Sequence, residues 1–139
     1  GRFFHRIAVQ RNYQGERVVY RDTHVTAFLD MTDPRHPRFD PNMEDDGDLS
    51  NIPPSRRAHV LVVPNTPRQH ISTRIDGPIG SADLAATLQV VQSAEALAQR
   101  LGIRNARVFV NPQDKLAVGY LHVHIVGEKD SVLAYPELP

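Results

Sequence analysis

The sequence contains no cysteine, carries no net charge at pH 7 and has no long run of apolar residues. Without cysteine, a disulfide scaffold and any thiolate metal site are excluded. The equal numbers of basic and acidic residues argue against a groove for a nucleic acid polymer, although a small nucleotide needs only a local site. No apolar run approaches the ~20 residues of a membrane span, and the first residues lack the apolar stretch of a signal peptide. We therefore expect a cytoplasmic protein with no membrane contact.

The 139 residues suit one compact domain, predicted to span residues 1–139. Residues 32–57 depart from the rest of the chain, because they hold five prolines and an acidic run and show no hydrophobic periodicity. This composition predicts a long loop insertion. Loops of this length are often functional lids or disordered segments, and a solvated insertion without a role is the alternative.

Hydrophobic patterns elsewhere predict the regular elements. A long amphipathic helix is predicted over residues 82–101, ending at Gly102, and an apolar cluster near the N-terminus predicts a short helix. Five strands are predicted, at residues 16–20, 25–29, 59–63, 106–111 and 119–126. Strands at both ends with a helix between them favour an α+β domain built on an antiparallel sheet.

Residues 120–126 are the most informative stretch, because apolar and polar side chains alternate along it. In a strand, Leu121 and its alternate neighbours face the core, while Tyr120, His122 and His124 share the opposite face. Imidazole is the side chain best suited to nucleophilic or acid–base chemistry near neutral pH. The pattern therefore predicts a site on this face, although two hydrogen-bonded structural histidines would give the same spacing.

Two kinds of chemistry fit this histidine pair. A zinc site would need His59 or a carboxylate as a further ligand, since His122 and His124 supply only two. Alternatively, a neutral imidazole attacks phosphorus and forms a covalent intermediate that water resolves. The second route needs donors for the phosphate oxygens and no metal or cofactor.

The chain resembles the histidine triad (HIT) family of nucleotide hydrolases and transferases, whose motif alternates three histidines with apolar residues and continues to a glycine. Residues 120–127 read Tyr-Leu-His-Val-His-Ile-Val-Gly in this register. Further blocks that resemble the family, in the same order, occupy residues 3–7, 18–31, 58–64, 70–71 and 108–111.

The resemblance implies a HIT-like fold, a small nucleotide substrate and a homodimer. It implies His122 as the nucleophile, with His124 at the third position of the motif and His59 supporting it. It also implies the substrate contacts, which are Asp30 at the ribose, Asn111 and Lys115 on the phosphate side, and Phe4 and Leu29 beside the ligand.

Three departures from the family pattern affect the predicted chemistry. Tyr120 replaces the first histidine of the motif, and Leu116 and Ala117 replace a Gln-Ser pair that contacts phosphate. Tyr120 retains one donor, whereas Leu116 and Ala117 retain none in their side chains. Two alternatives to a nucleotide hydrolase or transferase therefore stay open: a nucleotide-binding protein without turnover, and a HIT-like enzyme with a rebuilt pocket and different chemistry.

Overall fold

The central element of the fold is an eight-residue strand whose side chains are buried on both faces over almost its whole length. It was found in a computed structural model, which describes residues 2–43, 52–65, 81–110, 121–130, 132–136 and 138. In chain order the elements are α1 (Arg2–Ala8), β1 (Val18–Arg21), β2 (Val25–Leu29), a 3-10 turn (Pro54–Arg56), β3 (Arg57–Pro64), α2 (Ser81–Arg100), β4 (Arg104–Phe109) and β5 (Val123–Glu128).

The five strands form one antiparallel sheet in the order β1-β2-β3-β5-β4. The strands β1 and β2 make a hairpin, whose turn is held by Asp22, because its Oδ1 accepts hydrogen bonds from the N–H groups of His24 and Val25. These observations confirm the predicted α+β fold with five strands, one long helix and a short N-terminal helix.

The helices lie on opposite faces of the sheet. The core cluster that includes Ala94 and Leu97 of α2 also contains Ala27 of β2, Val60 of β3 and Ile125 of β5. On the other face, Ile7 and Ala8 of α1 pack with Phe28 and Leu61 in a second, smaller cluster. Because α1 is short, it covers only part of its face, and the remainder is available for a site.

The long helix begins and ends one residue before its predicted bounds, and Gly102 follows its end as the sequence predicted. Gly102 has a φ of 71°, a conformation that glycine adopts without strain, and Ile103 N–H bonds to the carbonyl of Ala98. Glycine is also required at position 127, because a Cβ there would lie 2.6 Å from the carbonyl oxygen of Arg104 on the neighbouring strand. Gly127 therefore permits the close approach of β4 to β5.

The bounds of β2 match the prediction, whereas the ends of the other strands differ from it by one to four residues. The last strand begins at Val123 rather than at residue 119, since its ladder with β3 ends at the pair Val62 and Val123. His122 therefore lies just before β5. The fourth strand begins at Arg104 and ends at Phe109, two residues earlier than predicted at each end.

The described part of the predicted loop is irregular except for the 3-10 turn Pro54–Arg56 and Arg57, which begins β3, and some of it is folded into the protein. Thr32, Asp33 and His36 are buried, which a solvated insertion would not show. Residues 44–51 of this loop lie outside the described residues.

Candidate active site

The two histidines of the motif lie on the sheet face opposite α2. Leu121, Val123 and Ile125 belong to the core cluster on the α2 side, as strand alternation predicted. His122 and His124 are both buried on the other face, with their ring centroids 5.3 Å apart. For residues 121–125 the sequence therefore predicted correctly which side chains share a face, whereas Tyr120 lies outside the described residues.

His59 joins His124 through a hydrogen bond between their rings. In the register of β3 against β5, Leu61 lies opposite His124. His59 lies two residues before Leu61, so its side chain is on the same face of the sheet. As a result, His59 Nε2 lies 2.8 Å from His124 Nδ1. His59 therefore lies beside the motif, as predicted, and contacts it at His124.

A chain of hydrogen bonds continues from His59 to Asp30. His59 Nδ1 lies 2.8 Å from Thr32 Oγ1, and Thr32 Oγ1 donates to Asp30 Oδ2 at 2.6 Å. A hydroxyl has one hydrogen, so a Thr32 that donates to Asp30 accepts from Nδ1–H of His59. Neutral His59 then accepts at Nε2 from Nδ1–H of His124, which fixes the tautomer of His124.

The backbone of His59 is held by a second carboxylate. Asp33, whose side chain is fully buried, accepts hydrogen bonds at Oδ2 from the His59 N–H at 3.0 Å and from the Tyr135 hydroxyl at 2.8 Å. Its Oδ1 accepts from the backbone N–H and the guanidinium of Arg35. Asp33 therefore connects the loop after β2, strand β3 and the C-terminal segment at the position of His59.

Two groups near Asp33 have shifted pKa values. Burial raises the pKa of Tyr135, and the charge of Asp33 and the hydrogen bond to it raise it further. Burial lowers the pKa of Lys129, as does the positive charge of Arg35. Tyr135 is thus held as the neutral phenol, the form that donates to Asp33.

Each histidine of the motif stacks on an aromatic ring. The ring of His122 lies on Phe4 of α1, with centroids 4.6 Å apart and planes 19° apart. His124 lies on Phe109 of β4, with centroids 4.9 Å apart and planes within 3°. These contacts fix both ring planes.

A cleft of about 410 Å³ opens beside the two histidines. Across the sheet, His124 pairs with Leu61, Leu61 with Phe28 and Phe28 with Val18, so these side chains form one row on the same face. The cleft follows this row and is lined by residues from α1, the sheet and the loop after β2: Phe3, Phe4, Glu16, Phe28, Leu29, Asp30, Met31, His36, Arg38, Met43, Leu61, His122 and His124.

The predicted site residues are distributed as follows. Phe4, Asp30, His122 and His124 border the cleft. Leu29 also borders it, but its side chain belongs to the core cluster on the α2 side, so only its backbone is placed to meet a ligand. Tyr120, Asn111 and Lys115 lie outside the described residues, as do Leu116 and Ala117, and their roles stay predictions.

Several residues of the site have no signal in the sequence. Thr32 and Asp33 lie in an irregular segment, where burial follows no period. The sequence predicts Phe109 in a strand, but its stacking on His124 depends on the pairing of β4 with β5. Thr32 lies two residues after Asp30, just beyond the end of β2, and its contact with His59 depends on how this segment folds back on β3.

Within the described ranges, no group of three or more histidine or acidic residues is arranged to hold a metal ion. Neither described helix is long and apolar enough to cross a membrane.

The fold resembles that of solved histidine triad proteins. A HIT family hydrolase from Clostridium thermocellum is 22% identical, with a TM-score of 0.54 over 92% of this chain and 90% of that one. A histidine triad protein from Clostridium difficile is 23% identical, with a TM-score of 0.54 over 97% and 95%. The chain therefore has the HIT fold. No protein-family model matches the sequence, and no curated protein does.

Proposed function

We propose that this chain is a HIT family member that hydrolyses or transfers the nucleotidyl group of a nucleoside monophosphate derivative. The observation that carries the proposal is the pair of oriented imidazoles, His122 and His124, at the edge of a cleft on the HIT fold. The proposal is consistent with the continuation of His124 through His59 and Thr32 to Asp30.

In the proposed reaction, His122 attacks the α-phosphorus. A bond forms between its ring nitrogen and phosphorus while the bond from phosphorus to the leaving group breaks, and the leaving group departs with a proton supplied by Nε2 of a protonated His124. Water, or an acceptor alcohol in a transfer, then attacks phosphorus, gives its proton to His124 and displaces His122 as the neutral imidazole. No metal is needed for these steps, because imidazole is itself the nucleophile.

The assignment of His122 rather than His124 as nucleophile is supported by their different surroundings. His124 Nδ1 is engaged by His59, and the His124 ring lies against Phe109. A His124 that also carries a proton on Nε2 can donate that proton to a phosphate oxygen or to the leaving group. His122 borders the cleft and is held in orientation by Phe4, as a nucleophile should be.

The remaining substrate contacts follow from the lining of the cleft and from the resemblance. Asp30 borders the cleft while Thr32 holds its Oδ2, so its carboxylate is oriented to accept ribose hydroxyls. Phe4 offers an aromatic wall and Leu29 a backbone contact. On the phosphate side, the proposal retains Asn111 and Lys115 from the resemblance, with Tyr120 in place of a histidine.

Turnover of an adenosine phosphoramidate tests this proposal. We expect the wild type to release AMP and ammonia, and His122→Ala to lose at least 10³-fold in turnover, on the order seen when a nucleophile is removed. His24→Ala, at an exposed turn, is the matched control and should retain full activity. Activity that survives in His122→Ala would rule out this nucleophile.

A nucleotide-binding protein without turnover is the second candidate. Three departures favour it: Leu116 and Ala117 lack the side-chain donors that would stabilise the transferring phosphoryl group, and Tyr120 replaces the first histidine of the motif. It predicts measurable AMP or GMP binding with no product release. A HIT-like enzyme with a rebuilt pocket is favoured instead if substrates outside the nucleotide class react.

We further propose a homodimer, as the resemblance implies. Strand β4 lies at one edge of the sheet, and its first four residues are exposed. An edge strand presents backbone groups that a second copy of the chain can pair with. The mass of the protein in solution, measured by light scattering, tests this directly, and a monomer at all concentrations would contradict it.

A further inference from the structure

We propose that Arg38, held by Glu16 and His36, selects a 6-oxopurine base in the cleft, so that guanine nucleotides are preferred over adenine nucleotides. This inference rests on the proposed nucleotide-binding function and specifies its substrate. The loop after β2 supplies Arg38 and His36, and both line the same cleft as His122.

The Glu16–His36–Arg38 cluster lies at the end of the cleft away from the histidine motif. The row from His124 through Leu61 and Phe28 to Val18 crosses three strand spacings, on the order of 14 Å. Glu16 precedes Val18 by two residues. This separation suits a nucleotide whose α-phosphorus lies at His122 and whose base extends toward β1.

Hydrogen bonds within the cluster fix the position of Arg38. Its Nη2 donates to Glu16 Oε1 at 2.8 Å and its Nε to the carbonyl of Gly15 at 3.2 Å. Its backbone N–H donates to His36 Nδ1 at 2.9 Å, so the His36 proton lies on Nε2, which donates to Glu16 Oε2 at 2.9 Å. The guanidinium is therefore oriented before a ligand binds.

Arg38 retains donors for a ligand. A guanidinium has five N–H groups, and within the described part of the chain two of them are used, by Gly15 and Glu16. The Arg38 side chain is 54% exposed, whereas that of Glu16 is 2% exposed. Each Glu16 oxygen already accepts a bond inside the cluster, so the cluster presents donors to the cleft.

Donors of this geometry distinguish the purines. Guanine presents two adjacent acceptors, O6 and N7, which arginine binds in a bidentate manner. Adenine presents N7 beside an amino group, so one of the two contacts is replaced by opposed donors. Phe3, Phe4 and Phe28 line the same cleft and supply apolar surface for either base, so we assign the selection to Arg38.

Binding of GMP, IMP and AMP to the wild type, measured by calorimetry, tests the inference. IMP has the same O6 and N7 acceptors as GMP but lacks the 2-amino group. We expect GMP and IMP to bind about ten-fold or more tightly than AMP. Equal binding of GMP and AMP would overturn this inference and leave the proposed function standing. Absence of binding by all three would overturn both.

The variants Arg38→Met and Arg38→Lys test whether Arg38 is the residue that causes the preference for GMP over AMP. In Arg38→Met, GMP affinity should fall to that of AMP, while AMP affinity is retained. Arg38→Lys keeps the charge but not the planar fork, so it should also lose the preference. Arg100→Met, on the α2 side of the sheet, is the control and should keep the preference.

A preference for GMP that survives in Arg38→Met would overturn the assignment. Should that variant fail to fold, 7-deazaguanosine monophosphate tests the same contact on the wild type. We expect it to bind about ten-fold more weakly than GMP, because it lacks the N7 acceptor. Undiminished binding of this analogue would also contradict the inference.

Discussion

At the scale of single residues, His59 is held at both its ring and its backbone. Its ring bonds to Thr32 and to His124, and its N–H bonds to Asp33. Buried polar groups that are fully hydrogen-bonded specify one arrangement, whereas a broken bond leaves a costly unsatisfied group. The orientation of His124 therefore depends on Thr32, which does not itself border the cleft.

Replacing Thr32 with valine tests this dependence. The change leaves Nδ1 of buried His59 without its acceptor, so we expect a loss of about 1–3 kcal/mol in the free energy of unfolding. We also expect about ten-fold slower turnover, since His124 loses its fixed tautomer. Thr32→Ser keeps the hydroxyl and serves as the control. Equal turnover in both variants would contradict a role for the hydrogen-bond chain.

Tyr135→Phe tests the contact with Asp33 through its pH dependence. The variant should lose about 2 kcal/mol in the free energy of unfolding at pH 7, because a hydrogen bond to a buried carboxylate is removed. The raised pKa of Tyr135 means that its stabilising contribution is present below about pH 10 and is lost as pH rises through the folded pKa.

The difference in unfolding free energy between wild type and Tyr135→Phe should therefore shrink above about pH 10. Denaturant titrations at pH 7 and above pH 10 measure it. Tyr20→Phe, which removes an exposed hydroxyl bonded to Asp22, is the control and should change stability by no more than about 0.5 kcal/mol at pH 7. A difference that does not vary with pH would contradict the assignment.

At the scale of secondary structure, α1 and the sheet form the cleft together. Ile7 and Ala8 anchor α1 on Phe28 and Leu61, and Phe4 on the same helix then stacks on His122. Seven residues are too few for a stable isolated helix, so α1 depends on this packing. Removing the contacts of Ile7 with the sheet should therefore affect the site as well as the free energy of unfolding.

Ile7→Ala tests this coupling. We expect a loss of about 2–5 kcal/mol in the free energy of unfolding, the usual range for emptying a fully buried site. Ligand affinity should also fall, because Phe4 is less firmly held. Val132→Ala, at a highly exposed position, should change neither quantity. If Ile7→Ala is destabilised but binds nucleotide with unchanged affinity, the packing of α1 does not influence the site and the prediction is wrong.

The sequence predicted the elements better than their connections. Period-two alternation predicted which face His122 and His124 occupy, and apolar runs predicted β2 and β3. Residues 32–43 gave no such signal, because burial in an irregular segment follows individual contacts rather than a period. The contacts of Thr32, Asp33 and Arg38 are therefore visible only in three dimensions.

At the scale of the whole molecule, Arg35 joins segments that are far apart in the sequence. Its guanidinium bonds to Asp33 and to the carbonyl oxygens of Arg57, Lys129 and Leu133. It thereby connects the loop after β2, the start of β3 and the chain beyond β5. Because these segments surround His59, the position of the site depends on the contacts between the loop after β2 and the residues that follow β5.

Arg35→Met should be strongly destabilising. It leaves buried Asp33 without its cationic partner, and we expect a loss of about 3–5 kcal/mol in the free energy of unfolding. Arg35→Lys should recover little, because an ammonium lacks the planar fork that reaches several carbonyl oxygens. Thermal unfolding of the two variants measures this, and near-wild-type stability of Arg35→Lys would contradict the account.

The central claim, that His122 is the nucleophile, is tested most directly by trapping the covalent intermediate. The wild-type protein is mixed with an adenosine phosphoramidate, quenched under alkaline conditions that preserve phosphohistidine, and analysed by intact mass and peptide fragmentation. We predict one added adenylyl group, located on His122 and absent in His122→Ala. Turnover by a wild type that carries the group on another residue, or never carries it, would contradict the claim.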